Sequence, residues 1–295
     1  MKTLTIFTPA YNRAHTLPRT YRSLCRQTCR DFDWLVIDDG SIDNTKELVE
    51  GWIAEGRFPI RYIHKENGGL YTGYNTAYAN INSELCVCID SDDYMPDNAV
   101  EIILKCWNEK GGPQYAGITG LDFFLSGEPI GGYFPDNLHE GHLIDLHLKK
   151  LHSGDTKQVM RTELMKKFIP MEGFQGEKDF NPIYLLLQAD DELPSLFVNE
   201  NFCFVEYQTA DSMSAGIYRQ YLNSPHSFAK MRRLEMRLRR NTLRNLIRVA
   251  IHYNSSCIIG KEKYWLASSP RKLLTILCRP AGWLLSKYII HKARK

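Results

Sequence analysis

An apolar run over residues 85–89 ends directly in three carboxylates, which belong to Asp90, Asp92 and Asp93. A short apolar run of this kind is typical of a strand that is buried on both faces. Acids at its carboxyl end lie where open α/β sheets bind their ligands. Because neighbouring carboxylates repel one another, we expect a cation or a donor-rich ligand there, and oxygen ligands suit Mg²⁺ or Mn²⁺. The alternative is a solvated acidic turn before a helix that begins near Pro96.

The first part of the chain alternates short apolar runs with amphipathic stretches, a pattern that indicates βαβ units and a parallel sheet. Strands are predicted over residues 4–7, 34–37, 60–63 and 85–89, and the first helix over 14–27. Polar or glycine-rich residues follow every one of these strands, so their carboxyl ends form a common rim. Beyond residue 111 the alternation weakens. The pattern there predicts a strand pair over 115–125, a strand over 197–205 and one long basic helix from about residue 227.

Charge is distributed unevenly along the 295 residues, although the net charge is only +3. Residues 226–295 contain 17 Lys and Arg but only two acids, Glu235 and Glu262, which leaves +15 on this segment and −12 on the rest. Two segments with different functions are therefore expected.

The eight cysteines include no Cys-x-x-Cys pair, and Cys86 and Cys88 alternate within the apolar run. Reduced thiols that serve as small apolar side chains fit this spacing better than a disulfide framework or a zinc site. The chain opens directly on a strand-like segment rather than on a secretory leader, and no apolar stretch is long enough to span a bilayer. We therefore expect a cytoplasmic protein.

Four polar motifs follow the predicted strands: Thr8-Pro9-Ala10-Tyr11-Asn12-Arg13, Val36-Ile37-Asp38-Asp39-Gly40-Ser41, Asn67-Gly68-Gly69 and Asp90-Ser91-Asp92-Asp93. In this order and spacing they resemble the family 2 glycosyltransferases of the GT-A fold. The resemblance implies an α/β fold with a Rossmann-like mixed sheet flanked by helices. It also implies transfer of a sugar from a nucleotide diphosphate to an acceptor hydroxyl, with inversion at the anomeric carbon. We therefore expect a catalytic domain over residues 1–215 and a basic amphipathic helical extension over residues 216–295.

The resemblance implies a nucleotide-sugar site at the rim, with a UDP sugar as the expected donor. Asp39 would accept a hydrogen bond from the uracil N–H, since a carboxylate cannot donate to the ring carbonyls. Many relatives carry a basic residue just after the glycines, where this chain has Leu70, which weakens a phosphate role for that loop. The alternative for Asp39 is a turn that leads into a helix cap at Ser41 or Asp43. The other residues expected to bind the donor are Thr8, Pro9, Tyr11, Arg13, Asn67, Gly68, Gly69, Asn75 and Asp92.

In the acidic motif, the resemblance assigns Asp93 to a divalent metal, Mn²⁺ or Mg²⁺, that bridges the diphosphate. Asp92 would contact the ribose or complete the set of metal ligands, and Asp90 would support these ligands from behind. The metal would neutralise the charge that accumulates on the leaving nucleotide, which is the costliest part of breaking the bond between sugar and phosphate.

An inverting transfer also needs a base that takes the acceptor proton. The resemblance places this base within residues 173–180, where Glu177 is the expected base and Asp179 the reserve candidate. The alternative is an ordinary surface acid beside Lys178.

Two further segments carry the resemblance. Gly154 and Asp155 fall where similar bacterial proteins approach the acceptor. Residues 205–214 resemble a segment that closes over donor and metal at the end of the catalytic domain.

The basic segment also carries two clusters of apolar side chains. The first holds Phe228, Met231, Leu234, Leu238 and Leu246, and the second holds Leu273, Leu274, Ile276, Leu277, Trp283, Leu284, Leu285, Tyr288, Ile289 and Ile290. This pattern suits helices that lie in a membrane interface with their cations against anionic lipid. Peripheral attachment to the inner face of the cytoplasmic membrane would bring the active site to a lipid-linked glycan acceptor. A helical hairpin packed on the catalytic domain is the alternative, and nucleic-acid binding ranks lower because no reading module is recognisable.

These observations predict an inverting, metal-dependent glycosyltransferase of the hexosyltransferase type that acts in bacterial surface polysaccharide synthesis. The Gln-x-x-Arg-Trp signature of processive synthases is missing from the sequence, which favours addition of a single sugar. Two alternatives stay open. A sugar nucleotidyltransferase would carry a glycine loop with Arg and Lys after the first strand, where this chain has Pro9-Ala10-Tyr11-Asn12. A non-catalytic, membrane-associated scaffold with a transferase fold would not need the intact acids of the rim.

Overall fold

The computed structural model describes residues 2–206 and 216–294. The chain divides into two compact units. The first unit comprises Met1–Gly68, Thr72–Met171 and Glu192–Glu206, and the second comprises Gly69–Tyr71, Glu172–Asp191 and Tyr207–Lys295. Most of the segment expected to close over donor and metal, residues 207–214, lies outside the described residues.

Within residues 2–206, the chain forms a sheet of eight strands. They are β1 (Leu4–Ala10), β2 (Phe32–Asp38), β3 (Ile60–His64), β4 (Leu85–Cys88), β5 (Gly117–Phe123), β6 (Glu140–Gly141), β7 (Thr156–Arg161) and β8 (Ser195–Phe204). The helices of the first unit are α1 (Leu17–Cys25), α2 (Thr45–Glu55), most of α3 (Leu70–Asn80), α4 (Ala99–Lys110), α5 (Leu143–Leu148) and α6 (Thr162–Lys166). The expected α/β architecture with a mixed sheet is therefore confirmed.

The strand order of the sheet is β3-β2-β1-β4-β7-β5-β8-β6. Strands β1 to β4 run parallel to one another, as strands joined by helical crossovers do. Their carboxyl ends therefore meet at one edge of the sheet, the rim, as the sequence predicts. Strand β7 runs antiparallel beside β4, so its amino end reaches the same rim.

Strands β1 and β2 are buried along their whole length, as continuous apolar runs predict. Aromatic rings pack the neighbouring helices onto them. The ring of Trp34 in β2 stacks with Tyr21 of α1 and with Trp52 of α2, at centroid separations of 6.4 and 5.9 Å. This packing fixes both helices against the sheet, and with them the rim loops that precede each helix.

The strand pair expected over residues 115–125 is wrong, because the segment forms a single strand, β5, between β7 and β8. Both partners come from distant parts of the chain. Local periodicity detects a strand but does not reveal which other strand pairs with it.

The second unit contains α7 (Ile183–Glu192), α8 (Ile217–Asn223), α9 (Pro225–Glu235), α10 (Leu243–Ile259), α11 (Lys272–Leu277) and α12 (Arg279–Ala293). The single long basic helix expected from residue 227 is therefore wrong. Two residues cause the break: the Asn241 amide donates to the carbonyl of Glu235, and the Thr242 hydroxyl accepts from the N–H of Asn245. A threonine in this position satisfies a backbone donor that the start of a helix leaves unpaired.

Helices α9 and α10 share a small apolar core that includes Val249 and Tyr253. Where α10 and α12 cross, Gly282 permits close approach, because a Cβ there would lie 2.4 Å from the Cβ of Asn254. Asn254 is fully buried, and its amide donates to the carbonyl of Thr275. The helices of the second unit are therefore held together by their own packing.

Across the two described ranges, none of the helices combines the length and the apolar character that crossing a bilayer requires.

His252 of α10 gives the stability of the protein a defined pH dependence. Burial, with smaller contributions from the guanidinium groups of Arg232 and Arg248, lowers the pKa of this imidazole from 6.5 to about 4. Between these pH values the unfolded chain binds a proton that the folded chain does not. The stabilisation is therefore complete above pH 6.5 and is lost as the pH falls towards 4.

We expect His252→Asn to flatten the fall in the free energy of unfolding between pH 6.5 and about 4, measured by urea denaturation at several pH values. His139→Asn, at an exposed histidine, is the matched control and should leave the slope unchanged. If all three proteins showed the same slope, the pKa of His252 would not be lowered in the folded chain.

Candidate active site

The loops that follow β1 and β2 are locked together at the rim. The Asn12 amide oxygen accepts from the N–H of Ile42, and the Asn12 N–H donates to the Ser41 hydroxyl, both at 2.9 Å. Asn12 has a φ of +54°, a left-handed conformation that asparagine adopts more readily than most residues. The predicted donor residue Tyr11 is 48% exposed beside this junction.

Asp38 and Asp39 are adjacent in the chain but differ in their contacts. Asp38 is fully buried and accepts hydrogen bonds from the Ser41 N–H, the Tyr62 hydroxyl and the His64 ring. Burial alone would raise the pKa of Asp38, but these hydrogen bonds lower it below its ordinary value. Asp38 is therefore an ionised side chain that holds the turn after β2.

Asp39 is also buried, and it is tied to the loop that follows β3. Its Oδ1 atom accepts from the Gly68 N–H at 3.0 Å and from the Thr72 hydroxyl at 3.3 Å, and it forms an ion pair with Lys65. Lys65 is not among the residues predicted for the site, although its place directly after β3 is a signal for the same rim. An anionic acceptor beside a cationic donor suits a ring edge that carries both an N–H and a carbonyl.

The glycine motif after β3 permits close packing of backbone. A Cβ on Gly68 would lie 2.8 Å from the side chain of Thr72. A Cβ on Gly40 would lie 2.9 Å from the backbone nitrogen of Asn67. In the second unit, Gly69 has a φ of +92°, and a Cβ there would lie 2.5 Å from the carbonyl oxygen of Lys178. A side chain at Gly40 or Gly69 would displace backbone, and one at Gly68 would displace the side chain of Thr72.

The acidic motif after β4 places its three carboxylates in different environments. Asp90 is exposed, Asp92 is half-buried and Asp93 is buried. Helix α1 holds the backbone of this loop, since the buried Thr20 hydroxyl donates to the carbonyl of Asp93 at 2.7 Å and Arg19 donates to the carbonyl of Asp92. The loop is therefore coupled to the helix that follows β1.

Lys157 of β7 and Asp122 of β5 are two further residues that the sequence analysis missed. The Lys157 Nζ lies 3.4 Å from Asp93 Oδ2 and 3.8 Å from Asp122 Oδ2. Burial raises the pKa of Asp93 to about 7 and that of Asp122 to about 6, although the ammonium opposes both shifts. Burial lowers the pKa of Lys157, but the surrounding acidic groups outweigh it and hold the lysine in its charged form. For Asp122 the available signal was a charged residue within the strand segment predicted over 115–125, whereas Lys157 lies outside every predicted strand.

A divalent metal would find hard oxygen ligands at this loop rather than a preformed cage. In the part of the chain that the structure describes, no three acidic, histidine or cysteine side chains converge as metal ligands. Asp93 and Asp92 still offer the oxygen atoms that Mn²⁺ and Mg²⁺ prefer, and these ions commonly take their other ligands from substrate phosphates and water. The residues therefore fit a metal that arrives with a diphosphate.

Three residues expected to bind the donor also serve the packing of the first unit. Thr8 is fully buried, and its hydroxyl accepts a hydrogen bond from the indole N–H of Trp34 in β2 at 2.9 Å. Pro9 is buried within β1, whereas Arg13 is half-buried in the loop between β1 and α1. The Asn75 amide donates to the carbonyl of Met171 and accepts from its N–H, at 3.1 and 2.7 Å. The side chains of Thr8 and Asn75 therefore have partners within the protein.

In the second unit, Glu177 caps the start of α9. It is buried, and its two oxygens accept from the N–H groups of His226 and Ser227 at 3.0 and 2.7 Å. The His226 ring nitrogen lies 2.6 Å from the same carboxylate. An acid at a helix N-terminus satisfies unpaired N–H groups and interacts favourably with the helix dipole. Asp179 is half-buried, and its carboxylate accepts from the Ser224 hydroxyl at 3.0 Å.

Gly154 and Asp155 directly precede β7 in the first unit. A Cβ on Gly154 would lie 1.6 Å from the carbonyl oxygen of Ile130, so the backbone packing requires glycine. Asp155 is exposed, and its charge raises the pKa of Asp122. Asp155, which the sequence predicts to lie near the acceptor, is therefore electrostatically linked to Asp122.

The part of the sequence that forms this rim matches a known protein family. Residues 5–118, which include β1 to β4 and all four motifs, match the family described as Glycosyl transferase family 2. A chondroitin synthase of Pasteurella multocida is 36% identical over 103 residues, which are 35% of this chain and 10% of that protein. The glycosyltransferase GlyA of Streptococcus pneumoniae is 26% identical over 172 residues, and the match covers 56% of this chain and 23% of that protein. The chain thus spans less than a quarter of the length of either relative.

Solved structures share the fold along the chain. A structure of S. aureus TarS residues 1–349 in complex with UDP-GlcNAc has a TM-score of 0.63 at 14% identity, and covers 100% of this chain and 92% of that one. The mannosyltransferase PcManGT from Pyrobaculum calidifontis, in complex with GDP-Man and Mn²⁺, has a TM-score of 0.57 at 15% identity, and covers 99% and 83%. The fold is that of the GT-A glycosyltransferases. The four motifs lie within the part of the chain, residues 5–118, that matches glycosyl transferase family 2.

Proposed function

We propose that this chain transfers one sugar from a UDP sugar to a hydroxyl of a glycan acceptor. The observation that carries the proposal is the rim, where Asp39, Lys65 and Asp93 lie on loops that follow parallel strands of one sheet. A buried carboxylate beside a lysine suits the uracil edge, where an N–H is flanked by carbonyls. The TarS complexes with UDP and UDP-GlcNAc support a uridine nucleotide as donor.

Mn²⁺ or Mg²⁺, when bound, would neutralise the charge of the departing diphosphate. Asp93 would hold the metal, Asp92 would be a second ligand or contact the ribose, and the exposed Asp90 would support them. The PcManGT complex with Mn²⁺ supports this role for the acids. Tyr11 offers a ring face to the base, and the glycine motif allows backbone to approach the donor.

We propose Glu177 as the base for the acceptor hydroxyl, in direct displacement with inversion. Because Glu177 caps α9, one of its hydrogen bonds must be released before that oxygen takes a proton. Asp179 is the reserve candidate, since its contact with the Ser224 hydroxyl can reverse direction when the acid is protonated. Asp155 would lie on the acceptor side, and the acceptor we propose is a lipid-linked glycan of a bacterial surface polysaccharide.

UDP together with Mn²⁺ should raise the midpoint of thermal unfolding more than either alone, because ligands that bind the folded state stabilise it. Asp39→Asn removes the negative charge from the acceptor of the uracil N–H and should weaken UDP binding about tenfold or more, as expected when a hydrogen bond loses its charged partner. Asp97→Asn is the matched control, since Asp97 is an exposed acid that pairs with Arg26. Calorimetric titration measures all three proteins.

Failure of every uridine nucleotide to stabilise the chain in the presence of Mn²⁺ would contradict the donor proposal. Release of UDP from UDP sugars separates a transferase from a scaffold, which would release none. Formation of a UDP sugar from UTP and a sugar phosphate would indicate a nucleotidyltransferase instead.

Glu177→Gln should lower kcat about 100-fold or more with little change in the KM for the donor, as expected for loss of a general base. It should also lower the free energy of unfolding by about 1–3 kcal/mol, because the amide NH₂ group cannot accept from the N–H groups of α9. His226→Phe is the control for the helix cap, since it removes only the ring contact and keeps the carboxylate. A larger loss of kcat in Asp179→Asn would transfer the role to Asp179.

We further propose that the second unit attaches the protein to the anionic inner face of the cytoplasmic membrane. Of the large apolar residues of α11 and α12, Leu274 and Ile289 pack inward and two others are half-buried, whereas six are 47–72% exposed. The exposed set comprises Leu273, Ile276, Leu277, Trp283, Leu284 and Tyr288. Arg271, Lys272 and Lys287 lie among them in sequence. Exposed apolar side chains flanked by cations suit the interface of an anionic bilayer.

The full chain should float with vesicles of phosphatidylglycerol, and more weakly with phosphatidylcholine or at high salt, because the attraction is partly electrostatic. Exchange of both Leu277 and Leu284 for Glu should abolish flotation. Ile42→Glu, at a residue of the first unit that is 89% exposed, is the matched control and should float normally. Equal flotation of the double variant and the unaltered chain would remove the membrane proposal.

A further inference from the structure

A lysine is built into the sheet beside the acidic motif. The antiparallel register pairs β4 with residues 159–161 of β7, so Lys157 lies beyond the paired part of β4. On its other side Lys157 pairs with Gly120 of β5, two residues before Asp122. The register of three strands therefore brings one ammonium group to both Asp93 and Asp122.

The charges of this cluster do not balance. Lys157, Asp93 and Asp122 are 9%, 6% and 3% exposed, and one ammonium faces two carboxylates at 3.4 and 3.8 Å. Among the described residues, the buried Oδ1 atom of Asp122 has no hydrogen-bond partner. Buried charges are costly unless they are paired. With both acids ionised, the cluster keeps one net negative charge and an oxygen that lacks a partner.

We propose that Lys157 is a resident counter-ion of the donor site, which half-neutralises the buried pair of Asp93 and Asp122. A divalent cation then binds strongly only together with a diphosphate. The inference rests on the proposed donor site and adds a positioning residue to it. Lys157 pairs with Oδ2 of Asp93 and leaves the other oxygen of that carboxylate for a metal ligand.

The charge count explains why metal and nucleotide would bind together. The buried groups alone present a free metal ion with a single net negative charge, and the charges of the more exposed Asp90 and Asp92 are weakened by water. The diphosphate brings further anionic oxygens, and these complete both the charge and the ligand set of the metal. Without Lys157, two buried carboxylates would attract a free divalent cation much more strongly. A purely structural ion pair would affect folding but not the dependence of metal binding on the nucleotide.

Binding of Mn²⁺ to the full chain, followed by the paramagnetic resonance of free Mn²⁺ with and without UDP, tests this role. Lys157→Met should bind Mn²⁺ without UDP about tenfold more tightly or better than the unaltered chain, as expected for removal of a nearby positive charge. UDP should then enhance Mn²⁺ binding less. Lys167→Met is the matched control, because Lys167 belongs to an exposed ion pair with Glu192 and should leave Mn²⁺ binding unchanged.

Two variants at Asp122 keep the test decisive if Lys157→Met fails to fold. Asp122→Asn preserves size and removes one negative charge, so Mn²⁺ binding should weaken with and without UDP. The double variant Lys157→Met with Asp122→Asn restores the net charge of the unaltered cluster and should restore weak, nucleotide-dependent Mn²⁺ binding. A structural ion pair has no reason to show this restoration.

Unchanged Mn²⁺ affinity in folded Lys157→Met, or in Asp122→Asn, would overturn the role of Lys157. That result is distinguishable from failure of the proposed function. If UDP fails to bind the unaltered chain at any Mn²⁺ concentration, the donor proposal fails, whereas the Mn²⁺ affinities measured without UDP still report on the lysine.

Discussion

Parallel pairing of β1 with β2 and β4 is the interaction on which the rest of the structure depends. It places the carboxyl ends of strands from separate parts of the sequence at one rim, and each of those ends carries a polar loop. Stacking of Tyr21 and Trp52 beside Trp34 then fixes the two helices that follow β1 and β2. The rim loops are therefore held at both ends, which is the condition for a precise arrangement of side chains on loops.

The rim concentrates acids, and the protein offsets each buried acid in a different way. Asp38 receives hydrogen bonds and acts in the turn, whereas Asp39 receives backbone and hydroxyl donors together with Lys65. Asp93 has Lys157, which it shares with a second buried acid. The donors around Asp38 lower its pKa, whereas the shared ammonium of Lys157 only partly opposes the rise that burial causes in the pKa of Asp93. The carboxylate oxygens that these donors do not occupy are the atoms available to a bound ligand.

In the second unit, the segment proposed to supply the base is fastened to the basic helices. Glu177 receives the first N–H groups of α9, and Asp179 contacts Ser224 just before that helix. A movement of α9 would therefore change the hydrogen bonds of both acids. This coupling gives the basic helices a physical connection to the proposed base, in addition to any role at a membrane.

The sequence by itself determined the parallel strands β1 to β4, the rim and the prominence of Asp39 and Asp93, because buried strands and the polar residues after them are local patterns. It also indicated a separate basic helical segment. Only the tertiary structure decided that β7 inserts between β4 and β5, and this insertion is what brings Lys157 to the acidic motif. The helix cap made by Glu177 was likewise decided by a contact between residues 50 positions apart. The break between α9 and α10 rests instead on local hydrogen bonds of Asn241 and Thr242, which apolar periodicity does not record. Local periodicity records which face of an element is buried, whereas the partner of a buried charge depends on strand register and long-range packing, which no short stretch of sequence contains.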